Sequence, residues 1–209
     1  MKKILHLVAS PRRERSHSRQ LADYFLRQLL QADADWQAET VELLELPPVA
    51  LDETFTTARF KVSAGKPLNE AERRLWERVT AEFGRFAAAD AYVISTPMWN
   101  FQIPNHLKHY LDLITHPNLC FTYDPEKGYA GLLGNKPLAV IYASGNVYNT
   151  PETIPLDGVA GYLKTWAQFV GLKVWFFTVD GNNLPINHAA VLDRCHQAID
   201  LFLSQHKFQ

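Results

Sequence analysis

The residue types that could do chemistry are gathered in three short segments, each following an apolar run. The first segment, residues 9–18, holds three hydroxyl side chains, Ser10, Ser16 and Ser18. They stand at the predicted start of a helix, where free backbone N–H groups and the positive end of the helix dipole attract an anion. The pattern favours binding of a phosphomonoester. The alternative is that Ser16 or Ser18 only caps the helix and that the neighbouring arginines are solvated.

The second segment, residues 95–104, is apolar where a loop after a strand normally carries polar residues. The thioether of Met98 packs well against aromatic systems, and Asn100 with the loop backbone could meet the polar edge of a ring. We therefore expect a flat, apolar group to pack on Trp99 and Phe101. The alternative is a tight loop that buries both aromatic side chains in the core.

The third segment, residues 144–149, supplies further hydrogen-bond donors, although an ordinary polar turn would have the same composition. The first segment lacks both the Gly-x-Gly-x-x-Gly pattern and the Walker lysine motif, which disfavours an adenine dinucleotide or ATP. A phosphate-binding loop, an apolar shelf with a polar edge and a donor loop together match a phosphorylated ribityl ring system such as FMN.

Five apolar runs with little alternation, separated by helical patterns, predict a parallel sheet buried on both faces. Five strands fit the doubly wound order 2-1-3-4-5 with helices on both faces, a flavodoxin-like α/β fold. Ligands of such sheets bind beyond the carboxyl ends of the strands, so the loops after strands one, three and four should line one site. The predicted strands are residues 3–9, 36–44, 91–96, 138–143 and 172–179.

Helix starts are marked by caps and prolines, and we predict a single domain over residues 1–209 with no internal repeat or linker. The segment 46–67, with three prolines and a glycine, is predicted to have no regular structure. Predicted helices begin near Ser18, at Asn69 with Glu72 as a capping box, at Pro104, at Pro155 and at Asn187.

The composition excludes several classes of protein. Of 209 residues, 47% are hydrophobic and 21% charged, as in an ordinary globular chain. A net charge of -1 offers no basic surface for nucleic acid, and no apolar stretch is long enough for a membrane span. The only cysteines are Cys120 and Cys195, expected to be free and unreactive. These observations predict a cytoplasmic protein with no nucleic-acid or membrane partner.

The order and spacing of the three segments resemble those of the FMN-dependent NADH azoreductases, which belong with the flavodoxin-like NAD(P)H:quinone oxidoreductases. The resemblance covers essentially the whole chain and also includes Phe121 to Tyr123, Gly128 and residues 131–133. The motifs are Ser10-Pro11 with Ser16-His17-Ser18, then Pro97-Met98-Trp99-Asn100-Phe101-Gln102-Ile103-Pro104, then Ser144-Gly145.

The resemblance implies which residues bind FMN. The serines of the first segment would hold the phosphate, residues 97–101 would lie beside the isoalloxazine ring, and Ser144 would approach its pyrimidine end. The family commonly has Tyr where this chain has Trp99, which keeps an aromatic wall, and Ser-x-Gly-Gly where this chain reads Ser-Gly-Asn-Val. The implied cofactor-binding residues are Ser10, Ser16, His17, Ser18, Pro97, Met98, Trp99, Asn100, Phe101, Ser144, Gly145 and Asn146.

The resemblance also implies a reaction in two halves. NADH or NADPH reduces bound FMN and leaves, and a quinone or azo compound then takes two electrons, so no side chain needs to be a nucleophile. Family members are homodimers with the active site at the subunit interface. There, Phe121 and the 46–67 segment would help form the substrate pocket.

Other functions remain open on the residues alone. A flavodoxin-like FMN electron carrier or a non-catalytic redox-sensing regulatory subunit would share the fold and the cofactor. A serine hydrolase is disfavoured because the chain has no Gly-x-Ser-x-Gly elbow, and a metal site on His106, His109 and His116 lacks a defined ligand set. We therefore predict no bound metal. The natural electron acceptor and the choice between NADH and NADPH are left undecided.

Overall fold

A five-stranded parallel sheet lies at the centre of the computed structural model, which describes residues 1–206 and 208. Its order is β2-β1-β3-β6-β7, and every neighbouring pair in it is parallel. Because β4 and β5 form a separate hairpin, the five parallel strands keep the predicted order. The strands are β1 Lys2–Val8, β2 Trp36–Glu42, β3 Ala91–Pro97, β4 Phe121–Asp124, β5 Gly128–Gly131, β6 Lys136–Ala143 and β7 Leu172–Val179.

Six α-helices and two short 3-10 turns complete the described part of the chain. The turns are Arg13–Arg15 and Ile154–Leu156. None of the helices in residues 1–206 is long and apolar enough to cross a membrane. The helices are α1 His17–Ala32, α2 Glu53–Ser63, α3 Glu70–Ala87, α4 Asn105–Ile114, α5 Gly158–Val170 and α6 His188–Gln205.

Two large clusters of buried side chains hold the helices to the sheet. Successive strand residues point to opposite faces, so Ile4 and Leu5 of β1 belong to different clusters. The cluster with Leu5 includes buried residues of α3, α4 and α5, and the cluster with Ile4 includes those of α1 and α6. This division explains why the strands read as continuous apolar runs.

The prediction that residues 46–67 lack regular structure is wrong, because α2 lies within this segment. The side chain of Asp52 caps α2 by accepting a hydrogen bond from the backbone N–H of Phe55 at 3.1 Å. Only Phe55 and Ala58 of α2 are buried, so the helix has almost no apolar stripe. Phe55 packs with Val49, Val79 and Leu113 in a third, smaller cluster. Tertiary packing and a cap form this helix where the sequence pattern is weak.

Most predicted helix starts are confirmed, and one is wrong. Pro155 does not open α5 but lies in a 3-10 turn, and α5 begins after Asp157, whose carboxylate accepts from the backbone N–H of Ala160 at 2.9 Å. Ser16, Asn69, Pro104 and Asn187 occupy the cap positions of the other predicted helices, and Asn69 forms the predicted capping box with Glu72.

The β4–β5 hairpin was not predicted, and its end lies against the end of α5 through two glycines. Gly171 closes α5 in the left-handed region, at φ 82°. A Cβ placed on Gly171 would lie 3.0 Å from the carbonyl carbon of Gly131. The backbone N–H of Leu133 and of Asn135 donate to the carbonyl oxygens of Val170 and Gly171 at 3.0 and 2.7 Å. The hairpin is therefore joined to α5 backbone to backbone.

Candidate functional site

The first predicted segment leads from the end of β1 into α1 and carries three buried hydroxyl groups. Ser10, Ser16 and Ser18 are each at most 3% exposed. Ser16 is the N-cap of α1, and its Oγ accepts a hydrogen bond from the backbone N–H of Arg19 at 3.3 Å. The Oγ atoms of Ser16 and Ser18 lie 3.1 Å apart, and Ser10 Oγ accepts from the backbone N–H of Arg12 at 3.4 Å. Capping therefore accounts for Ser16 but not for the buried Ser18.

The start of α1 also carries donors that are not used within the chain. The backbone N–H groups of His17 and Ser18 have no acceptor among residues 1–206 and 208. The buried Nδ1 of His17 is likewise without a partner in that part of the chain. Burial, followed by the electrostatic effects of Arg12 and His188, lowers the pKa of His17. Free N–H groups, hydroxyls and nearby positive charge at one helix start suit an anion.

The second segment forms a tight two-residue turn directly after β3. The backbone N–H and C=O of Trp99 and Gln102 are reciprocally hydrogen-bonded, at 2.8 and 2.9 Å. Between them, Asn100 and Phe101 both have positive φ, 47° and 68°. This is the backbone of a type I′ turn, whose second position is normally glycine. A phenylalanine there stores strain of order 1–3 kcal/mol, which is typical of functional sites.

The side chains and N–H groups of this turn are open to a ligand. Trp99 and Phe101 are 43% and 51% exposed, so the alternative that both are core residues is wrong. The backbone N–H groups of Asn100 and Phe101 have no acceptor in the described chain. Pro97 and Met98 are half-buried beneath the turn, and Met98 packs against the large apolar cluster. The turn thus offers apolar surface beside free donors.

The third segment follows β6 and is held by Asn182 from the loop after β7. Ser144 is buried, and its Oγ donates to the carbonyl oxygen of Asn146 at 2.7 Å. Asn182 Nδ2 donates to the carbonyl oxygens of Ser144 and Val179 at 2.9 and 2.7 Å. Gly145 packs against the side chain of Asn183, which leaves no space for a Cβ. Ser144 Oγ therefore keeps only acceptor capacity for a ligand.

Backbone hydrogen bonds bring the three segments to one edge of the sheet. The N–H of Ala9 donates to Ser95 O at 2.8 Å, and that of Met98 donates to Ala143 O at 2.8 Å. The register pairs Val8 with Ser95 and Pro97 with Ala143. The carboxyl ends of β1, β3 and β6 are therefore neighbours, as predicted.

Phe121 lies at the start of the β4–β5 hairpin. Its ring is 8% exposed and packs on Phe169 and Tyr129, with ring centroids 4.5 and 5.8 Å away. Tyr123 and Tyr129 of the same hairpin are exposed, and their ring centroids are 4.9 Å apart. A role of Phe121 in a substrate pocket stays a prediction.

Sequence reasoning missed two residues that support the site. His106, considered only as a metal ligand, connects α4 to the end of β1, and its ring lies edge-on to Trp99 with centroids 5.9 Å apart. Asn182, which was not predicted, supports the third segment from the loop after β7. The Asp-Gly-Asn-Asn run at residues 180–183, which follows the fifth parallel strand, was the available signal.

Cys120, Cys195 and His116 are described by their burial and neighbours. Within the described chain, no three His, Cys, Asp or Glu side chains are placed to hold a metal ion. Cys120 and Cys195 are free thiols; burial raises the pKa of Cys120 to about 12 and raises that of Cys195. His116 is buried beside Phe55 and Trp76.

The strand order and the site at the carboxyl edge define a flavodoxin-like α/β protein. A family model described as "Flavodoxin-like fold" matches residues 2–203, and the chain belongs to this family.

Relatives with named activities span most of the chain. A protein of Desulfotalea psychrophila is 38% identical over 173 residues, which are 83% of this chain and 82% of the relative. A protein of Ruegeria pomeroyi is 34% identical over 201 residues, 95% of this chain and 98% of the relative. Both are named FMN-dependent NADH:quinone oxidoreductase.

Among solved structures, this chain is similar to an FMN-dependent NADH-azoreductase from Bacillus anthracis in complex with FMN. The TM-score is 0.88 at 27% sequence identity, over 98% of this chain and 99% of the other. The family resemblance deduced from the sequence motifs is therefore confirmed.

Proposed function

We propose that this chain is an FMN-dependent NAD(P)H:quinone oxidoreductase and azoreductase, built as a single domain over residues 1–209 with helices on both faces of the sheet. One observation carries the proposal: an anion-binding helix start and a strained, exposed aromatic turn lie on adjacent strand ends. The names of the relatives support the same activity.

The first segment fits the phosphate of FMN. A doubly charged phosphate needs several donors, and the start of α1 offers the buried hydroxyls of Ser10, Ser16 and Ser18 with the free N–H groups of His17 and Ser18. Charge-assisted hydrogen bonds to such groups contribute about 1.5–3 kcal/mol each. The start of α1 and the nearby guanidinium of Arg12 would supply positive charge for the phosphate.

The second and third segments fit the ring system. Residues 97–101 would provide an apolar wall, and the free N–H groups of Asn100 and Phe101 would donate to polar ring atoms. Ser144, Gly145 and Asn146 would border the pyrimidine end, with Ser144 Oγ as an acceptor. Donors fixed in place before charge develops stabilise that charge without reorganisation.

Bound FMN would supply the two-electron chemistry between a nicotinamide nucleotide and a quinone or azo compound. The chain itself would orient the ring, exclude water from one face and present backbone donors, and no side chain would act as nucleophile. We propose that both substrates use the same face in turn.

We further propose a cytoplasmic homodimer in which the active site lies at the subunit interface. In support, the hairpin carrying Phe121 exposes Tyr123 and Tyr129, 61% and 64% accessible in the single chain. The α2 segment, within residues 46–67, would border the same substrate pocket. No nucleic-acid or membrane partner is proposed.

The test is anaerobic reduction and reoxidation of the flavin in the purified protein reconstituted with FMN. NADH or NADPH should bleach the flavin absorbance, and a small benzoquinone should restore it. Steady-state rates should give parallel double-reciprocal lines, as expected for a ping-pong reaction. A protein that binds no FMN would overturn the proposal. A bound flavin that neither nucleotide bleaches would instead identify an electron carrier or a redox-sensing regulatory subunit.

A further inference from the structure

The turn between Trp99 and Gln102 packs against the beginning of α5. Asn100 and Phe101 both occupy the left-handed region, which persists in non-glycine residues only where surrounding structure over-determines it. The reciprocal hydrogen bonds of Trp99 and Gln102 close the turn. They do not fix the direction in which its tip points.

The first residue of α5, Gly158, packs against that tip. A Cβ added to Gly158 would lie 2.5 Å from the carbonyl oxygen of Phe101 and 2.8 Å from Cδ of Gln102. Real Cβ atoms are not found this close to a backbone oxygen, so only a glycine allows the observed approach. The exposed side chain of Gln102 is free to move, but the carbonyl of Phe101 moves only with the turn.

The start of α5 is itself anchored to the sheet. Tyr142, in β6, donates its hydroxyl hydrogen bond to the carboxylate of Asp157. The other oxygen of Asp157 accepts from the backbone N–H of Ala160 at 2.9 Å and caps α5. Gly158 follows Asp157 directly, so its backbone is fixed relative to β6. Since β3 pairs with β6, the turn and the start of α5 share one rigid support.

We propose that Gly158 is a positioning residue, which sets the direction of the free N–H groups of Asn100 and Phe101 toward the ring of the cofactor. The inference rests on the proposed function for the identity of that ring. It concerns the ring end of the site, since the three atoms nearest to a Cβ on Gly158 all belong to Phe101 and Gln102. A change at Gly158 should therefore affect FMN and riboflavin equally.

The chain offers a matched control within the same helix. A Cβ on Gly161 would meet nothing within 4 Å, whereas one on Gly158 meets Phe101. Gly158→Ala and Gly161→Ala thus add the same methyl group to α5. We expect Gly158→Ala to weaken binding of both flavins by the same factor, roughly tenfold or about 1.4 kcal/mol, and to shift the flavin midpoint potential. Gly161→Ala should leave both quantities unchanged.

A measurement without cofactor separates this inference from the proposed function. In the flavin-free protein, Gly158→Ala should move the backbone amide NMR signals of residues 99–102, and Gly161→Ala should not. A Gly158→Ala protein with wild-type signals there, or with wild-type affinity for both flavins, would overturn the inference. If the wild type bound no flavin, the proposed function would fail while the amide signals still reported on Gly158.

A second variant covers the case in which Gly158→Ala does not fold. Asp157→Asn adds no volume and keeps an acceptor for the α5 cap, but it weakens the bond with Tyr142. We expect it to lower the affinity for FMN and riboflavin equally, by a smaller factor than Gly158→Ala. Unchanged affinity for both flavins in Asp157→Asn would contradict an anchored α5 start as the support of the turn.

Discussion

His106 Nε2 donates a hydrogen bond to the carbonyl oxygen of Ala9 at 2.6 Å, which joins the first turn of α4 to the end of β1. A carbonyl oxygen only accepts, so Nε2 carries the hydrogen. Ala9 is fully buried. Without the ring of His106, its carbonyl oxygen would lose this hydrogen bond. The bond links the segment proposed to bind phosphate to the helix that follows the turn proposed to bind the ring.

This relationship predicts that His106→Ala destabilises the protein by about 1–3 kcal/mol, because a buried carbonyl loses its donor. For a chain of this size, that corresponds to a melting temperature lower by roughly 2–4 °C per kcal/mol. The control is His109→Ala on the same helix, whose ring has no hydrogen bond to the described residues. Thermal unfolding of the two flavin-free variants should differ, and equal melting temperatures would contradict the role of His106.

Ser18→Ala should weaken FMN binding by roughly 10- to 150-fold, since one charge-assisted hydrogen bond contributes about 1.5–3 kcal/mol. Riboflavin, which has no phosphate, should lose far less affinity. Ser16→Ala should show the same difference between FMN and riboflavin, and it additionally loses the side-chain cap of α1. Titration of both flavins against each variant measures the two affinities.

The control for the serine variants is Asn69→Ala, which removes the side-chain cap of α3. It should cost about 0.5–2 kcal/mol of stability and leave the preference for FMN over riboflavin unchanged. A Ser18→Ala protein that kept the wild-type affinity ratio would show that Ser18 does not contact the phosphate.

Phe101→Gly should keep or raise the free energy of unfolding, because glycine adopts φ 68° without strain. It should nevertheless bind FMN more weakly, since the exposed aromatic wall is lost. Phe60, in α2, is 69% exposed, and Phe60→Gly should destabilise by about 1 kcal/mol as a glycine within a helix. Denaturant unfolding compares the two, and equal destabilisation would argue against stored strain at Phe101.

Two buried histidines predict a loss of stability in mild acid. Burial, followed by the charge of Arg19, lowers the pKa of His6 to about 3, and burial lowers that of His116 to about 4. In the unfolded chain, each of the two histidine rings binds a proton near pH 6.5. Below that pH, the unfolded chain therefore holds more protons than the folded chain. Stability therefore falls as the pH falls from about 7 toward 4, by about 2 kcal/mol per histidine at pH 5.

The measurement is the denaturant midpoint between pH 7 and pH 5, where most carboxylates are still ionised. His116→Gln keeps a donor for the carbonyl oxygen of Leu113, which His116 Nε2 contacts at 2.8 Å, and removes one titrating ring. Its stability should depend less steeply on pH than that of the wild type. Equal slopes would contradict a neutral His116 in the folded protein.

The strands were predictable because a strand buried on both faces of the sheet has a continuous apolar run in its sequence. Observed and predicted ends of the five parallel strands differ by no more than two residues. α2 has no such pattern in its sequence, because the packing of Phe55 with Val79 and Leu113 depends on contacts distant in sequence. The start of α5 has a local signal in the sequence, the capping residue Asp157, which stands two residues after Pro155.

The three segments of the candidate site were predictable for a different reason, since parallel strand ends must meet at one edge. The exposure of Trp99 and Phe101 was not predictable from composition, because aromatic residues are found both in cores and at ligand sites. It depends on the positive φ of Asn100 and Phe101, and the Asn100-Phe101 pair lacks the glycine that normally signals such a turn. The roles of His106 and Asn182 likewise come from contacts across the fold.

Gly131 and Gly171 face each other with no space for a side chain on either, and this constrains how the chain can vary in evolution. A substitution at one glycine does not make room for a side chain at the other. A first substitution therefore does not make the second one tolerable. Tyr123 and Tyr129, which the hairpin exposes, lie outside this glycine contact, so a change of their side chains leaves the backbone contact in place. Substitutions that change the exposed surface of the hairpin therefore fall at other positions than substitutions that would break its contact with α5.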